Sequence, residues 1–223
     1  MKKDVLIVCR AMEPEMRKAL EETGTDPAVL WMESGLHDQP QKLTTALQEK
    51  LREAERDYAP DRVLLGYGFC GNALRGVTAG EFTMILPRVD DCITLFIGSR
   101  ERKQQLEGGV GTFFMTEGWL NNDVSILKQR EQLVADYGEE DGLDIFEMMY
   151  GHYSRIGLLN CHCGGFEEIC ARSRALAEAI GFEHCVFDAS IDYVKQLLTG
   201  PWPEDRFIVK APHEEITDRD LRA

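Results

Sequence analysis

The sequence predicts an α/β protein with a mostly parallel sheet flanked by helices, in an arrangement that allows two Rossmann-like lobes. Short apolar segments alternate with amphipathic segments along the whole chain, which is typical of strand–helix–strand units. The length of 223 residues suits one large domain or two small α/β lobes. The hydrophobic fraction of 43% and the charged fraction of 29% are those of an ordinary globular protein.

The first part of the chain alternates regularly between predicted strands and helices. Short apolar runs predict four strands, at residues 3–9, 28–33, 62–66 and 82–86. Residues 13–22 form a predicted helix, and Pro14 suits its first turn. Residues 41–58 form another, because Leu43 and Leu47 recur at helical spacing. The chain after the fourth strand, at residues 91–106, is also expected to be helical.

The second part of the chain repeats this alternation. Four further strands are predicted at residues 112–115, 155–160, 184–187 and 207–210. Helices are predicted at residues 123–137, 142–153, 166–180 and 191–198. Gly181 ends the helix at 166–180 in the usual way. A boundary fits best within residues 118–140, so the two lobes are expected at residues 1–120 and 121–223.

Charge and hydropathy exclude several classes of protein. With 25 Lys and Arg against 39 Asp and Glu, the formal net charge is −14, which disfavours nucleic acid and anionic membranes as partners. No apolar run approaches the roughly 18–20 residues that span a bilayer. The apolar stretch at residues 5–9 is too short for a signal peptide, so a cytoplasmic protein is expected. The seven cysteines are then expected to be thiols, since an odd number argues against a disulfide framework.

Reactive side chains follow several of the predicted strands. In open α/β sheets, binding sites form at the carboxyl ends of strands. Three cysteines and one histidine lie at or just after the first four strands, namely Cys9, His37, Cys70 and Cys92. Three thiolates and an imidazole suit tetrahedral zinc, and iron or cobalt could use the same ligands. We therefore predict a metal site there, with either a closed ligand set or one open position.

The loops that carry Cys70 and Cys92 add detail to this prediction. Cys70 lies among glycines, where exposed amides lower the pKa of a thiol, and Cys92 is expected in the first turn of a helix, with the same effect. Gly66-Tyr67-Gly68-Phe69-Cys70-Gly71 has the spacing of a dinucleotide motif, but no helix or acidic residue completes it, so no nucleotide is expected. Arg88, Asn72 and Asp91 are candidates for binding a substrate or an anion.

The Cys161-His162-Cys163 segment is a secondary candidate for metal binding. Alternate residues of an extended chain point to opposite sides, so the two cysteines would share one side and His162 the other. The segment lacks the spacing of a zinc ribbon, and no second pair of cysteines completes one. Trp119, with Phe113 and Phe114, is expected to serve packing.

Five segments resemble an uncharacterised bacterial and archaeal family that is known only as a domain of unknown function. They are the segments 34–37, 65–72, 87–93 with 98–99, 111–119, and 200–202 with 205–207. The resemblance covers about residues 4–212, and GYGFCGN and PRVDDC are its most specific parts. It implies a cysteine near the end of the first strand, as at Cys9. Some members are encoded near corrinoid-dependent methyltransferases, so a corrinoid protein or a methyltransferase is an expected partner.

Two alternatives remain open at this level. The chain is similar in size, acidity and expected lobes to cofactor-independent amino-acid racemases, in which each lobe supplies one cysteine. Cys70 and Cys161 would then be the acid and base of a metal-free enzyme. The other alternative is a regulatory or scaffold protein whose cysteines are core residues. The metal site predicts stoichiometric bound metal. The metal-free enzyme predicts no metal but activity that is lost on alkylation of Cys70, and the scaffold protein predicts neither metal nor sensitivity to alkylation.

Overall fold

The computed structural model describes residues 3–122 and 126–221, with Asp38 described in its backbone only. Eight strands are present in this part of the chain: β1 (Val5–Cys9), β2 (Ala28–Met32), β3 (Arg62–Gly66), β4 (Thr83–Pro87), β5 (Thr112–Met115), β6 (Arg155–Asn160), β7 (Glu183–Asp188) and β8 (Phe207–Lys210). The α-helices of the same residues are α1 (Glu13–Thr23), α2 (Pro40–Tyr58), α3 (Thr94–Ile97), α4 (Arg100–Glu107), α5 (Glu117–Asn121), α6 (Ile126–Tyr137), α7 (Glu139–Tyr150), α8 (Phe166–Ile180) and α9 (Asp192–Thr199). Short 3₁₀ turns lie at Arg10–Met12 and Leu36–Asp38.

The strands form two sheets, and the predicted α/β class is confirmed. The first sheet has the order β2-β1-β3-β4-β8, in which the first four strands are parallel and β8 pairs antiparallel with β4. The second sheet has the order β5-β6-β7 and is parallel throughout. All five residues of β1 are buried, as expected for a central parallel strand with both faces covered.

Two groups of apolar side chains form the interior. The larger surrounds the first sheet and extends to Phe114, Leu159 and Cys161 near the second. The smaller lies on the second sheet and includes Ile156 and Leu158. Within residues 3–122 and 126–221, no helix combines the length and the apolar character needed to cross a membrane.

The expected elements differ from the structure in three places. The helix predicted at 91–106 is divided, because Gly98 has a φ of 100° and the Ser99 side chain accepts from the Arg102 N–H to start α4. Helix α5 was not predicted, since its five residues are too few to show a period. Helix α7 begins before the predicted residue 142. Residues 123–125 of the predicted helix 123–137 lie outside the described part of the chain.

Candidate functional site

A cavity of about 380 Å³ lies at the carboxyl end of the first sheet. Its lining includes every predicted first-choice ligand, namely Cys9, His37, Cys70 and Cys92. Cys9 is the last residue of β1, and the other three lie in the segments that follow β2, β3 and β4. The strand order explains the convergence, because β1 lies between β2 and β3 and thereby brings Cys9 beside the other loops.

The loops after β3 and β4 are joined through their backbones. The Phe69 N–H donates to the Val89 carbonyl at 2.8 Å, and the Cys70 N–H donates to the Asp90 carbonyl at 3.0 Å. Gly68 makes this approach possible, since a Cβ there would lie 2.4 Å from the Asp91 carbonyl carbon. The scaffold itself therefore holds the Cys70 and Cys92 segments side by side.

The sulfur atoms of Cys70 and Cys92 are 3.6 Å apart. Two thiolates bound to one tetrahedral zinc at about 2.3 Å are separated by about 3.8 Å, so this spacing fits a shared metal ion. Across residues 3–122 and 126–221, however, no three Cys, His, Asp or Glu side chains already stand in an arrangement that could hold a metal. A metal ion at the Cys70–Cys92 pair would need a third ligand, which rotation of the Cys9 or His37 side chain would supply.

Cys9 and Cys92 have raised pKa values. Burial, and then the neighbouring Cys92, raise the pKa of Cys9 to about 12. The hydrogen bond with Cys70, and then burial, raise the pKa of Cys92 well above its usual range. The expected lowering at Cys92 is therefore wrong, because α3 begins only at Thr94 and the thiol is buried beside another sulfur.

Tyr67 lies among the three sulfur atoms. Its side chain is 2% exposed, and its hydroxyl hydrogen-bonds to the Cys9 thiol. Burial, and then the charges of Cys9, Cys92 and Cys70, raise its pKa well above the usual value. Its hydroxyl is therefore a neutral donor beside the thiols.

Asp91 belongs to the cavity lining, but both of its carboxylate oxygens already accept hydrogen bonds. Its Oδ1 accepts from the Thr94 N–H at 2.8 Å and from the Thr94 hydroxyl at 2.7 Å, while Oδ2 accepts from Lys103 Nζ at 2.5 Å. Burial alone would raise the pKa of Asp91, but Lys103 and the Thr94 donors outweigh it and lower that pKa. Lys103 thus places a positive group on the cavity wall, which no local sequence pattern predicts.

The other two candidates for anion binding lie outside the cavity lining. Arg88 donates through Nε to the Glu204 carbonyl and through Nη1 to the Asp220 carbonyl, both at 2.9 Å. These contacts tie Arg88 to the C-terminal segment. Asn72 is exposed in a turn and has a φ of 67°.

Aromatic side chains form much of the opposite wall. The ring of Trp119 lies 5.4 Å from that of His37 and 6.5 Å from that of Phe113, which in turn meets Tyr153 edge-on at 5.5 Å. The indole N–H of Trp119 is buried and has no acceptor among the residues that the structure describes. The sequence predicts a packing role for Trp119, which packs against both apolar groups and also lines the cavity beside His37.

Four lining residues are not predicted as such by the sequence, namely Tyr67, Lys103, Tyr153 and Trp119. Tyr67 was visible as the aromatic residue within the glycine-rich loop. Lys103 and Tyr153 carry no local signal, because only the packing of α4 and of the chain before β6 brings them to the wall.

The Cys161-His162-Cys163 segment lies at a second, much smaller cavity of about 10 Å³. Cys161 and Cys163 line this cavity together with Glu15 and Glu117. His162 has a φ of 55° and points away, with Nε2 2.8 Å from Asp188 Oδ1. Cys70 lines the large cavity, whereas Cys161 lines this small one.

Glu15 is the unusual residue of this second cavity. It is 0% exposed, its Oε1 accepts from the Gly118 N–H at 3.3 Å, and the Thr116 side chain also hydrogen-bonds to its carboxyl group. Burial raises the pKa of Glu15. Burial, and then the charge of Glu15, raise the pKa of Cys161 and raise that of Cys163 to about 12.

The comparisons with known proteins assign the chain to a family. The sequence model described as "Protein of unknown function (DUF1638)" matches residues 31–198, which is well over half of the chain. The chain therefore belongs to this family, as its GYGFCGN and PRVDDC segments predict. Searches of curated proteins and of solved structures find no match.

Proposed function

We propose that the protein binds one zinc-type metal ion through Cys9, Cys70 and Cys92, with His37 as the fourth ligand. The observation that carries the proposal is the 3.6 Å separation of the Cys70 and Cys92 sulfur atoms in a cavity that Cys9 and His37 also line. The donor set supports zinc, because thiolate and imidazole are its preferred protein ligands, and it also admits iron or cobalt.

The remaining volume of the cavity supports a role beyond a structural metal. About 380 Å³ is within the range of small-molecule sites, and the walls combine aromatic rings with a few polar groups. Trp119 and Phe113 would orient an organic ligand by ring contacts. Lys103 would attract its negative group, and Tyr67 would donate a hydrogen bond near the sulfur atoms.

The reaction class that we propose is methyl transfer to a thiol, in partnership with a corrinoid protein or methyltransferase. Once a substrate thiol had replaced His37 as the fourth ligand, a bound metal of this kind would supply Lewis acidity that lowers the pKa of that thiol and makes it a better methyl acceptor. The side chains of the chain itself would hold that thiol beside Tyr67 and exclude water with the aromatic wall. The corrinoid partner is supported by the family resemblance only.

Metal content tests the proposal directly. We expect about one zinc ion per chain in protein purified without oxygen or chelators, and loss of that metal in Cys70→Ser and Cys92→Ser. His37→Ala should weaken binding by about 10-fold to 100-fold rather than abolish it, since a water can replace an imidazole ligand. Cobalt substitution provides a second measurement, because its absorption spectrum reports sulfur ligation and tetrahedral geometry.

Two controls separate metal binding from folding. Cys185→Ser removes a thiol from β7, far along the chain from the cavity loops, and should leave the metal content unchanged. Circular dichroism of each variant shows whether the fold is retained. Wild-type protein without stoichiometric metal, or equal metal content in Cys92→Ser and Cys185→Ser, would contradict the proposed function.

A further inference from the structure

The Cys70 and Cys92 sulfur atoms are in van der Waals contact, and the backbone keeps them there. Their segments follow β3 and β4, which pair in parallel, and the hydrogen bonds from Phe69 and Cys70 to the neighbouring loop extend that pairing. A disulfide requires an S–S distance of about 2.05 Å, so the contact of 3.6 Å needs only small side-chain rotations to close.

The two thiols differ in access. Cys70 is partly exposed on the cavity wall, whereas Cys92 is 8% exposed beneath it. A small molecule that enters the cavity meets Cys70 first. This is the arrangement of an attacking thiol with a second thiol placed to resolve its adduct.

We propose that Cys70 and Cys92 form a thiol–disulfide exchange site for small disulfides of the glutathione class. The inference also rests on the proposed function in one respect, since a disulfide would remove two of the three thiolate ligands. Oxidation of the pair and metal binding are therefore mutually exclusive, and the redox state of the cavity controls whether it holds metal.

The exchange proceeds in two steps. The Cys70 thiolate attacks one sulfur of the small disulfide, whose S–S bond breaks, so that one small thiolate leaves and takes up a proton. Cys92 Sγ then attacks Cys70 Sγ and gives up its proton, which passes to the second small thiolate as the mixed disulfide breaks and releases it. The protein thiols lose two electrons and two protons, and the small disulfide is reduced to two thiols.

The test uses full-length protein, freed of metal by a chelator, in buffers of oxidised and reduced glutathione. Peptide mapping by mass spectrometry should find a Cys70–Cys92 disulfide in the wild type. Cys92→Ser should instead accumulate glutathione on Cys70, because the resolving thiol is missing. Cys70→Ser should leave Cys92 unmodified, since Cys92 is buried. Cys163→Ser is the matched control and should behave as the wild type.

Zinc loading then tests the coupling between oxidation and metal. Protein loaded with zinc beforehand should form the disulfide at least 10-fold more slowly, and disulfide formation should release zinc to a colorimetric chelator. Absence of the Cys70–Cys92 disulfide in metal-free protein, or equal rates with and without bound zinc, would overturn the inference. If the protein binds no zinc, the proposed function fails, while the disulfide map still decides the exchange.

Discussion

The carboxyl ends of the two sheets both carry cysteines, but they create different environments. At the first sheet, Cys9, Cys70 and Cys92 surround a cavity of about 380 Å³. At the second sheet, Cys161 and Cys163 surround a space of about 10 Å³, which is the size of one water molecule. The first arrangement can admit a ligand, and the second cannot admit more than a single small species.

The difference shows that the position of a cysteine after a strand does not by itself make a binding site. At the first sheet, the neighbouring loops join to each other and leave open volume beside the thiols. At the second sheet, α1 places the buried carboxyl group of Glu15 against the β6 loop and fills that volume. Packing from outside the sheet therefore decides which strand end is accessible.

The substitution with the largest expected effect is Gly68→Ala, which disrupts the backbone contact between the two loops at the first sheet. In Gly68→Ala, the added Cβ would lie 2.4–2.7 Å from backbone atoms of Asp91, so the β3 and β4 loops must separate. We expect a loss of about 3 kcal/mol in the free energy of unfolding, measured with urea, together with loss of metal.

Gly24→Ala is the matched control for this change. Gly24 has a φ of 64°, but a Cβ there would meet nothing within 4 Å. We expect it to lose only about 1 kcal/mol and to keep its metal. Equal losses in the two variants would mean that the contact between the loops is not what organises the first environment.

Glu15→Gln tests the second environment and its dependence on pH. Burial raises the pKa of folded Glu15, so the unfolded chain loses this proton at lower pH and the wild type loses stability as pH rises above about 4.5. The glutamine keeps the acceptor for the Gly118 N–H without the charge. We expect the variant to be more stable at pH 8 by about 1–2 kcal/mol and equal to the wild type near pH 4.

Urea unfolding across this pH range measures the effect of Glu15→Gln. Glu49→Gln is a suitable control, because Glu49 is exposed on α2. A stability difference between Glu15→Gln and the wild type that stays constant with pH would show that the ionisation of Glu15 is not coupled to folding.

Cys161→Ala compares the two environments directly. Its thiol is 5% exposed and lines only the small cavity, so removing it should lower the free energy of unfolding by about 1 kcal/mol. The metal content should stay at the wild-type level, in contrast to Cys92→Ala. Loss of metal in Cys161→Ala would instead show that the second sheet contributes a ligand.

Arg62→Met gives the smallest expected effect. It probes the amino end of the parallel strands in the first sheet, opposite to the end that carries the cavity. Arg62 donates through Nε and Nη2 to both oxygens of Asp4, at 3.0 and 2.7 Å, and the pair is partly exposed to solvent. We expect a loss of less than about 1 kcal/mol, which shrinks further at high salt, and no change in metal content. A larger loss of stability, or a loss of metal, would show that contacts at the amino end of these strands also support the cavity.

Much of the local structure is predictable from the sequence. The apolar run of β1 and the amphipathic pattern of α2 appear close to their predicted positions, because each reflects a short-range period in burial. Helix α5 and the break at Gly98 were not predicted. A five-residue helix is too short to show a period, and the break depends on how α3 and α4 pack.

The candidate site was predictable only in part. Cys9, His37, Cys70 and Cys92 were identified because reactive residue types follow strands. Lys103 and Tyr153 were not, since only the packing of distant segments brings them to the cavity wall. The direction of the Cys92 pKa shift was also missed, because it depends on burial and on the nearby Cys70 sulfur.

The sequence by itself determined the α/β class, the strand ends that carry cysteines and the membership of the family. The tertiary structure decided that β1 lies beside β3, that β8 runs antiparallel, and that one set of thiols lines an open cavity while the other is closed off by Glu15. The physical reason is the distance along the chain over which each feature is determined. Strand and helix periods arise between residues close in the chain, whereas strand order and cavity volume depend on contacts between distant segments.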